Sequence, residues 1–395
     1  MSGPAGVPHS LRLSKHAMIT DRNIICFSND WHSDPTSKHQ IMRILSRSNR
    51  ILWVNSIGLR RPSLEKRDMG RMLSKVRSFS RGLERVNDNL FVFTPIVVPF
   101  HHSTLAQGMN AAALKLSLEY YVRKLDMRNV IYWSYLPNVH YIIKRMRPGL
   151  IIYHCVDEWS KFSFIDPDIV EKERALCRMA DLVLVSAREL FKSKSPYNPN
   201  THYVSHGVDY AYFHEAPLDE APPEMIGIGK PVAGFFGLIH EWIDLELLDY
   251  LIRKNPAVSF VFIGKQSVDV SKLAAHPNAH FLGQKRYDEL VRYARRFDVG
   301  LIPFRINELT VNVNPIKLKE YLALGIPVVS VNLPEVSAYG QVVRVADGYE
   351  AFDAALKEEL SGRHKASPEE IDRVARGETW DRKVEEISTL VEALG

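Results

Sequence analysis

The chain has 395 residues, 46% of them apolar and 25% charged, which fits two domains of about 100–200 residues and excludes disordered, collagen-like and coiled-coil proteins. No apolar run approaches the ~18 residues of a membrane span, and residues 1–15 lack the apolar stretch of a secretory leader, so neither spanning nor secretion is expected. The three cysteines, Cys26, Cys155 and Cys177, form no C-x-x-C pair, which argues against a disulfide framework or a zinc site and for a cytoplasmic setting.

Taken in chain order, residues 23–28 and 50–55 read as buried strands. Asp30 and His32 follow the first of them, with Ser33, Asp34 and Lys38 behind. They are candidates for contacts in a cleft, although a strand-to-helix turn explains such residues as well. The stretch 60–85 is the most basic of the chain. Its Met69, Met72, Leu73, Val76, Phe79 and Leu83 fall near helical spacing. Two readings fit it: a helix lying on an anionic membrane surface, or a solvated helix docked on its own domain. No nucleic-acid reader motif accompanies the charge, so no nucleic-acid partner is expected. Residues 1–200 hold 30 Lys and Arg against 17 Asp and Glu, and residues 201–395 hold 21 against 29. The two halves therefore face different partners.

Further strands are predicted at 129–133, 149–154 and 182–186, followed by an acidic, Pro-rich linker at 210–230. The pattern then restarts with strands at 231–237, 258–264, 280–282, 299–303 and 327–331, and with helices at 245–254, 287–296 and 316–324. Alternation of this kind predicts an α/β protein of two Rossmann-like domains facing across a cleft. The first spans 1–209 and the second 231–375, with 376–395 expected as a helix returning to the first domain. Parallel sheets bind ligands at the carboxyl ends of their strands, so motifs directly after strands carry the candidates.

One such motif is Asn314-Pro315-Ile316-Lys317-Leu318-Lys319-Glu320, a helix start, which continues to Gly325-Ile326-Pro327-Val328-Val329. A helix N-terminus with Lys317 in its first turn suits a diphosphate, and Glu320, one turn on, suits the hydroxyls of a ribose. The same spacing also suits an i, i+3 ion pair on an exposed face. Asp166-Pro167-Asp168 precedes a helical run and reads as a cap rather than a metal-binding pair.

The 314–329 segment resembles the donor-binding helix of GT-B glycosyltransferases, which show a Glu, a small-residue stretch, Gly, one residue and Pro-Val-Val. Ala180-Asp181-Leu182-Val183-Leu184-Val185-Ser186, His206-Gly207-Val208-Asp209 and Phe236-Gly237-Leu238-Ile239 agree in order and spacing. The resemblance implies that Lys317 contacts the donor diphosphate, Glu320 the ribose and the Gly237 turn the phosphates. It also implies that His206 lines the cleft. Basic residues that usually follow the glycine turn are replaced by His240-Glu241-Trp242, which leaves the phosphate charge to Lys317 with Arg305. Retaining members carry two glutamates eight positions apart, whereas Asn312 stands eight residues before Glu320.

That departure turns attention to an inverting transfer, which needs a base for the acceptor hydroxyl. Asp157 and Glu158 follow the predicted strand 149–154, and Asp157 is the candidate base, in an arrangement similar to xanthan-type membrane-associated glucuronosyltransferases. The other reading is that one of the two caps the next helix. The expectation is thus a metal-independent glycosyltransferase of polysaccharide biosynthesis. It would move a sugar from a nucleoside diphosphate sugar, a UDP-sugar by preference, to a glycan or lipid-linked acceptor at the inner face of the cell membrane. The alternatives are a nucleotide-sugar epimerase on the same fold and a non-catalytic subunit of a polysaccharide assembly complex.

Overall fold

A computed structural model describes residues 18–56, 82–95, 104–146, 148–162, 165–215 and 220–394. Among the described residues fourteen strands form two sheets. The first contains β1 (Asn23–Phe27), β2 (Arg50–Val54), β3 (Leu83–Arg85), β4 (Leu90–Phe93), β5 (Ile131–Ser134), β6 (Leu150–Cys155), β7 (Leu182–Val185) and β8 (Thr201–Tyr203), in the order β3-β4-β2-β1-β5-β6-β7-β8. All its pairings are parallel except β3 with β4. The second contains β9 (Val232–Phe236), β10 (Ser259–Ile263), β11 (Ala279–Phe281), β12 (Val299–Ile302), β13 (Val328–Val331) and β14 (Arg344–Ala346), in the order β11-β10-β9-β12-β13-β14. It is parallel throughout. In each sheet the chain steps outward on one side and then returns to the other side of its first strand. This creates a crevice between β1 and β5 and another between β9 and β12, the places where such sheets bind ligands.

The period-2 alternation of β-strands divides the first domain into two cores. Ile25, Phe27, Leu52, Tyr153 and Val183 pack on one face, and Ile24, Cys26, Trp53, Trp133, Ile152 and Leu184 on the other. Trp380, Val384, Ile387 and Val391 cover that second face. They come from the helix Trp380–Glu392, so the end of the chain completes the core of its beginning. Fully burying one such side chain contributes about 1.5–3 kcal/mol. Gly207 is required here, because a Cβ on it would lie 2.8 Å from the Trp380 backbone nitrogen.

The sequence expectations differ from the structure in two segments. Of the basic stretch 60–85, residues 60–81 lie outside the described residues, and Leu83–Arg85 is strand β3, not helix. The linker is also more ordered than its prolines suggest. Tyr210–His214 is a short helix capped by the Asp209 carboxylate, which accepts from the Tyr212 N–H. Tyr210 and Phe213 are buried in the second domain's core, and this burial outweighs the missing periodicity.

Candidate active site

The second-domain wall of the cleft begins at two glycine turns. Gly237 follows β9 at φ 140°, and Gly264 follows β10 at φ 150°. Only glycine adopts this backbone without strain. A Cβ on Gly264 would come within 1.9 Å of the Gly237 carbonyl oxygen, and one on Gly237 within 2.9 Å of the Lys317 side chain. The two turns therefore lie against each other with backbone exposed to a ligand. Next to them starts the helix Ile316–Ala323 with Pro315 at its N-cap. Proline has no side-chain group to bond the first-turn N–H groups, which suits anion binding at this helix end.

Gly237, Gly264, Lys317 and Glu320 all line one cavity of about 1160 Å³, closed on the opposite side by Asp34, Pro35 and Thr36 of the first domain. Gln284 bridges the gap by donating to the Asp34 carboxylate at 2.9 Å. Lys317 Nζ lies 3.1 Å from Glu320 Oε2 and 5.1 Å from the Phe236 ring centroid. The ion pair and the donor-site reading thus involve the same two side chains, and a bound diphosphate would compete with Glu320 for the ammonium.

Arg305 is not among the residues lining this cavity. Its Nε donates to the Ile243 carbonyl at 3.3 Å, which directs it elsewhere. Lys265 and Lys285 line the cavity instead. The former is exposed; the latter bonds Glu224 at 2.7 Å. Sequence reasoning rejects Gly264-Lys265-Gln266-Ser267 as a phosphate loop, because Ser259 stands where that motif needs Gly, and passes over Lys285, although each lysine stands within two residues of a glycine that follows a strand. His240 and Trp242 also line the cavity and stack at 4.2 Å, forming a flat aromatic surface.

A second cluster, none of whose members, Asp157 included, is among the residues lining that cavity, lies at the carboxyl ends of β1, β5 and β6. Asp157, two residues beyond β6, is half-buried. Burial raises its carboxyl above the usual carboxylate range, and Lys38 opposes that rise. Lys38, from the helix Ser37–Leu45, is 8% exposed. Its Nζ stands 5.7 Å from the ring centroids of both Tyr135 and Trp159. His154 stacks on Tyr135 at 4.9 Å, and burial pushes its imidazole down to about 3. Ile316, at the start of the helix that carries Lys317, packs against the core containing Val156 and Tyr135.

The other acceptor-side candidates are placed differently. Glu158 is held in a buried ion-pair network: Lys194 Nζ lies 2.9 Å from it and 2.8 Å from Glu173. Burial alone would raise the Glu158 carboxyl, but the Lys194 ammonium leaves it below its ordinary value. His206 is buried at the end of the first domain, its carbonyl accepting from Lys319 Nζ. Burial and nearby cations push its imidazole well below the ordinary value. Asp30 and His32 are exposed after β1, with His32 Nε2 2.9 Å from Glu84, and neither lines the cavity. Asp168 precedes the helix Ile169–Met179 without a side-chain capping bond. It pairs instead with Lys172 at 2.5 Å.

Residues 230–361 match the family described as glycosyl transferases group 1. The chain has the GT-B fold, and its second domain is similar to the group 1 glycosyl transferases. A Bacillus subtilis (strain 168) protein named teichuronic acid biosynthesis glycosyltransferase TuaH is 28% identical over 255 residues, which are 58% of this chain and 64% of that protein. The match therefore spans less than two thirds of that relative. The GT-B fold is shared with the sucrose-phosphate synthase of Thermosynechococcus elongatus, at a TM-score of 0.70 and 11% identity over 94% of this chain and 99% of that one. It is also shared with Anabaena HepE in complex with UDP and glucose, at a TM-score of 0.65 and 12% identity over 94% of this chain and 100% of that one.

Proposed function

We propose that this protein transfers a sugar from a UDP-sugar to a glycan or lipid-linked acceptor in polysaccharide biosynthesis, with inversion at the anomeric carbon and without a metal. The observation that carries the reading is the single cavity in which the Gly237 and Gly264 turns, Lys317 and Glu320 meet the first domain. Its second-domain wall offers backbone N–H groups, a helix end and lysines to a diphosphate, and a carboxylate to a ribose. The group 1 domain match supports it, as do the relative named for teichuronic acid biosynthesis and a GT-B neighbour holding UDP and glucose.

In the transfer, the acceptor hydroxyl oxygen bonds the anomeric carbon while the bond from that carbon to the diphosphate oxygen breaks. The hydroxyl proton passes to Asp157, and the bonding pair leaves with UDP. Lys317 and the first-turn N–H groups stabilise the charge that develops on the diphosphate. The Asp157→Asn variant is expected to bind UDP as the parent does and to lose transfer by about 10²- to 10⁴-fold. Near-normal transfer by that variant would remove Asp157 from the base role. Turnover of UDP-sugar to an epimer without acceptor would favour the epimerase reading, and absence of any turnover the non-catalytic one.

Attachment to the membrane rests on the charge of residues 60–85, most of which lie outside the described residues. Among the described residues no helix is long and apolar enough to cross a membrane. Co-sedimentation with anionic but not neutral vesicles, weakened by salt, is the expected result for a peripheral basic surface.

A further inference from the structure

Buried polar groups meet where the two domains touch. Glu335 follows β13 of the second domain and is 1% exposed, yet four hydrogen bonds converge on its carboxylate. The first domain supplies three of them: the Arg188 backbone N–H at 2.7 Å, the Arg188 guanidinium at 3.4 Å and the Tyr203 hydroxyl at 2.6 Å. The fourth comes from the Asn314 amide at 3.1 Å. A carboxylate only accepts, so every group around it must donate, and a buried one persists only when it is paired in this way.

Asn314 carries the contact into the candidate site. It is buried and stands just before Pro315, the N-cap of the helix that places Lys317 and Glu320 in the cavity. Its amide nitrogen also donates to the Ser186 carbonyl at 2.9 Å, and its Oδ1 accepts from Lys319 Nζ at 3.3 Å. With two acceptors on the nitrogen and an ammonium on the oxygen, only an amide in this orientation fits. An aspartate would set a carboxylate oxygen against the Ser186 carbonyl and the Glu335 carboxylate. Ser186 in turn follows β7. Its N–H donates to the Cys155 carbonyl at 3.1 Å and its hydroxyl to the Val156 carbonyl at 3.2 Å. Asp157 is the next residue. Direct hydrogen bonds therefore lead from Glu335 through Asn314 and Ser186 to the backbone that carries Asp157, although Asp157 does not line the cavity of Lys317.

We propose that Asn314 and Glu335 are positioning residues of the transfer reaction. They hold the first turn of the helix with Lys317 in fixed register with residues 155–157, so that the donor diphosphate and the acceptor base keep one separation. Apolar contacts between packed elements permit small sliding motions. Hydrogen bonds weaken steeply once their direction is lost, so this contact resists them. The inference deepens the transferase reading and rests on it, and on Asp157 as base, only for the effect on turnover.

Two measurements test it. Asn314→Ala removes the bridge, and Glu335→Gln keeps its shape but turns one acceptor into a donor. In each, kcat should fall by up to about 10²-fold, the cost of a misplacement of about 1 Å, while UDP affinity by calorimetry stays within about twofold of the parent's. A lower melting temperature with the parent's kcat would mark the contact as structural only and overturn the proposal. UDP affinity lost in step with kcat would place the pair in donor binding and overturn it as well. Should Asn314→Ala fail to fold, Tyr203→Phe, which removes one hydroxyl from Glu335, should lower kcat in the same direction, and an unchanged kcat overturns the proposal.

The second measurement needs no turnover. The native cysteines are buried, so spin labels at Arg128→Cys in the first domain and Lys365→Cys in the second, both exposed positions, report the distance between the domains in the UDP-bound protein. Glu335→Gln should broaden or shift the distance distribution, and one that superimposes on the parent's overturns the proposal. If the parent transfers no sugar, the transferase reading fails and the distances alone decide whether the contact sets the register. Full transfer by Asp157→Asn with a reduced kcat in Glu335→Gln would reject the base assignment and keep the positioning role.

Discussion

The two walls of the cleft are built on different plans. Loops that follow β9, β10 and β11, together with the first turn of one helix, supply the second-domain wall, so its groups come from short contiguous stretches around Gly237, Gly264, Gln284 and Lys317. Lys317 is 26% exposed and Lys265 more so, with charge in contact with water and available to a ligand. The first-domain cluster draws Lys38, Tyr135, His154, Asp157 and His206 from distant points of the chain; all but Asp157 are buried, and none lines the cavity. They meet because β1, β5 and β6 are neighbours. An exposed charge needs no internal partner, whereas a buried one must be compensated inside the protein. Roles in the first domain therefore depend on partners, as the hold of Lys194 on Glu158 and Glu173 shows.

The largest effect that sharpens this contrast is expected from Lys194→Met. It leaves Glu158 and Glu173 buried without their cation, which should cost about 3–5 kcal/mol in urea unfolding, with UDP affinity of the folded protein kept. Little change in stability would show that Glu158 is free to act chemically, and the distinction between it and Asp157 would collapse. Next comes Lys317→Ala on the opposite wall. It removes a charge-assisted contact worth about 1.5–3 kcal/mol, so UDP should bind more than tenfold more weakly by calorimetry while the melting temperature stays near the parent's. The reverse pattern, lower stability with unchanged affinity, would mark the Lys317–Glu320 pair as structural.

A pH effect of similar size belongs to the first wall. His39 Nδ1 accepts the Thr36 N–H at 3.1 Å, and Nε2 lies 3.1 Å from the Trp31 carbonyl, so the ring must be neutral. Burial lowers its pKa from the ordinary value to about 4. The unfolded chain then takes up a proton before the folded one as pH falls. Stability from this residue is complete above about pH 6.5 and is lost toward pH 4, amounting to about 2 kcal/mol at pH 5 at 1.36 kcal/mol per unit. His154, lowered to about 3 by burial, follows the same sign. Urea unfolding at pH 7.5 and pH 5 should therefore differ less in His39→Gln, where the amide retains the capping-box position without titrating. An equal difference in both proteins would place the acid sensitivity elsewhere. The smallest effect is expected where an exposed pair joins the domains. Lys161 and Glu308 meet at 2.5 Å with side chains 38% and 81% exposed, and Lys161→Ala should change stability by less than about 1 kcal/mol.

The sequence alone determined the architecture. Runs such as 182–185 and 328–331 are apolar on both faces, as strands of a covered parallel sheet must be, and their alternation with helices dictates the α/β fold. It also located the glycine turn after β9 and Lys317 and Glu320, which line one cavity with it, because those groups are close in the chain and shaped by local backbone rules. Strands β3, β4, β8 and β14 were missed; β3, β8 and β14 have only three residues, too few for a clear period, although β11 of the same length was expected at 280–282. The helix Tyr210–His214 was missed because its stability comes from burying Tyr210 and Phe213 rather than from its own pattern. Tertiary structure decided which charges matter. It turned Arg305 away from the cavity, brought Lys265 and Lys285 in and closed Glu158 in an ion pair. The energy of a charge depends on burial and on its through-space partners, and sequence spacing reports neither.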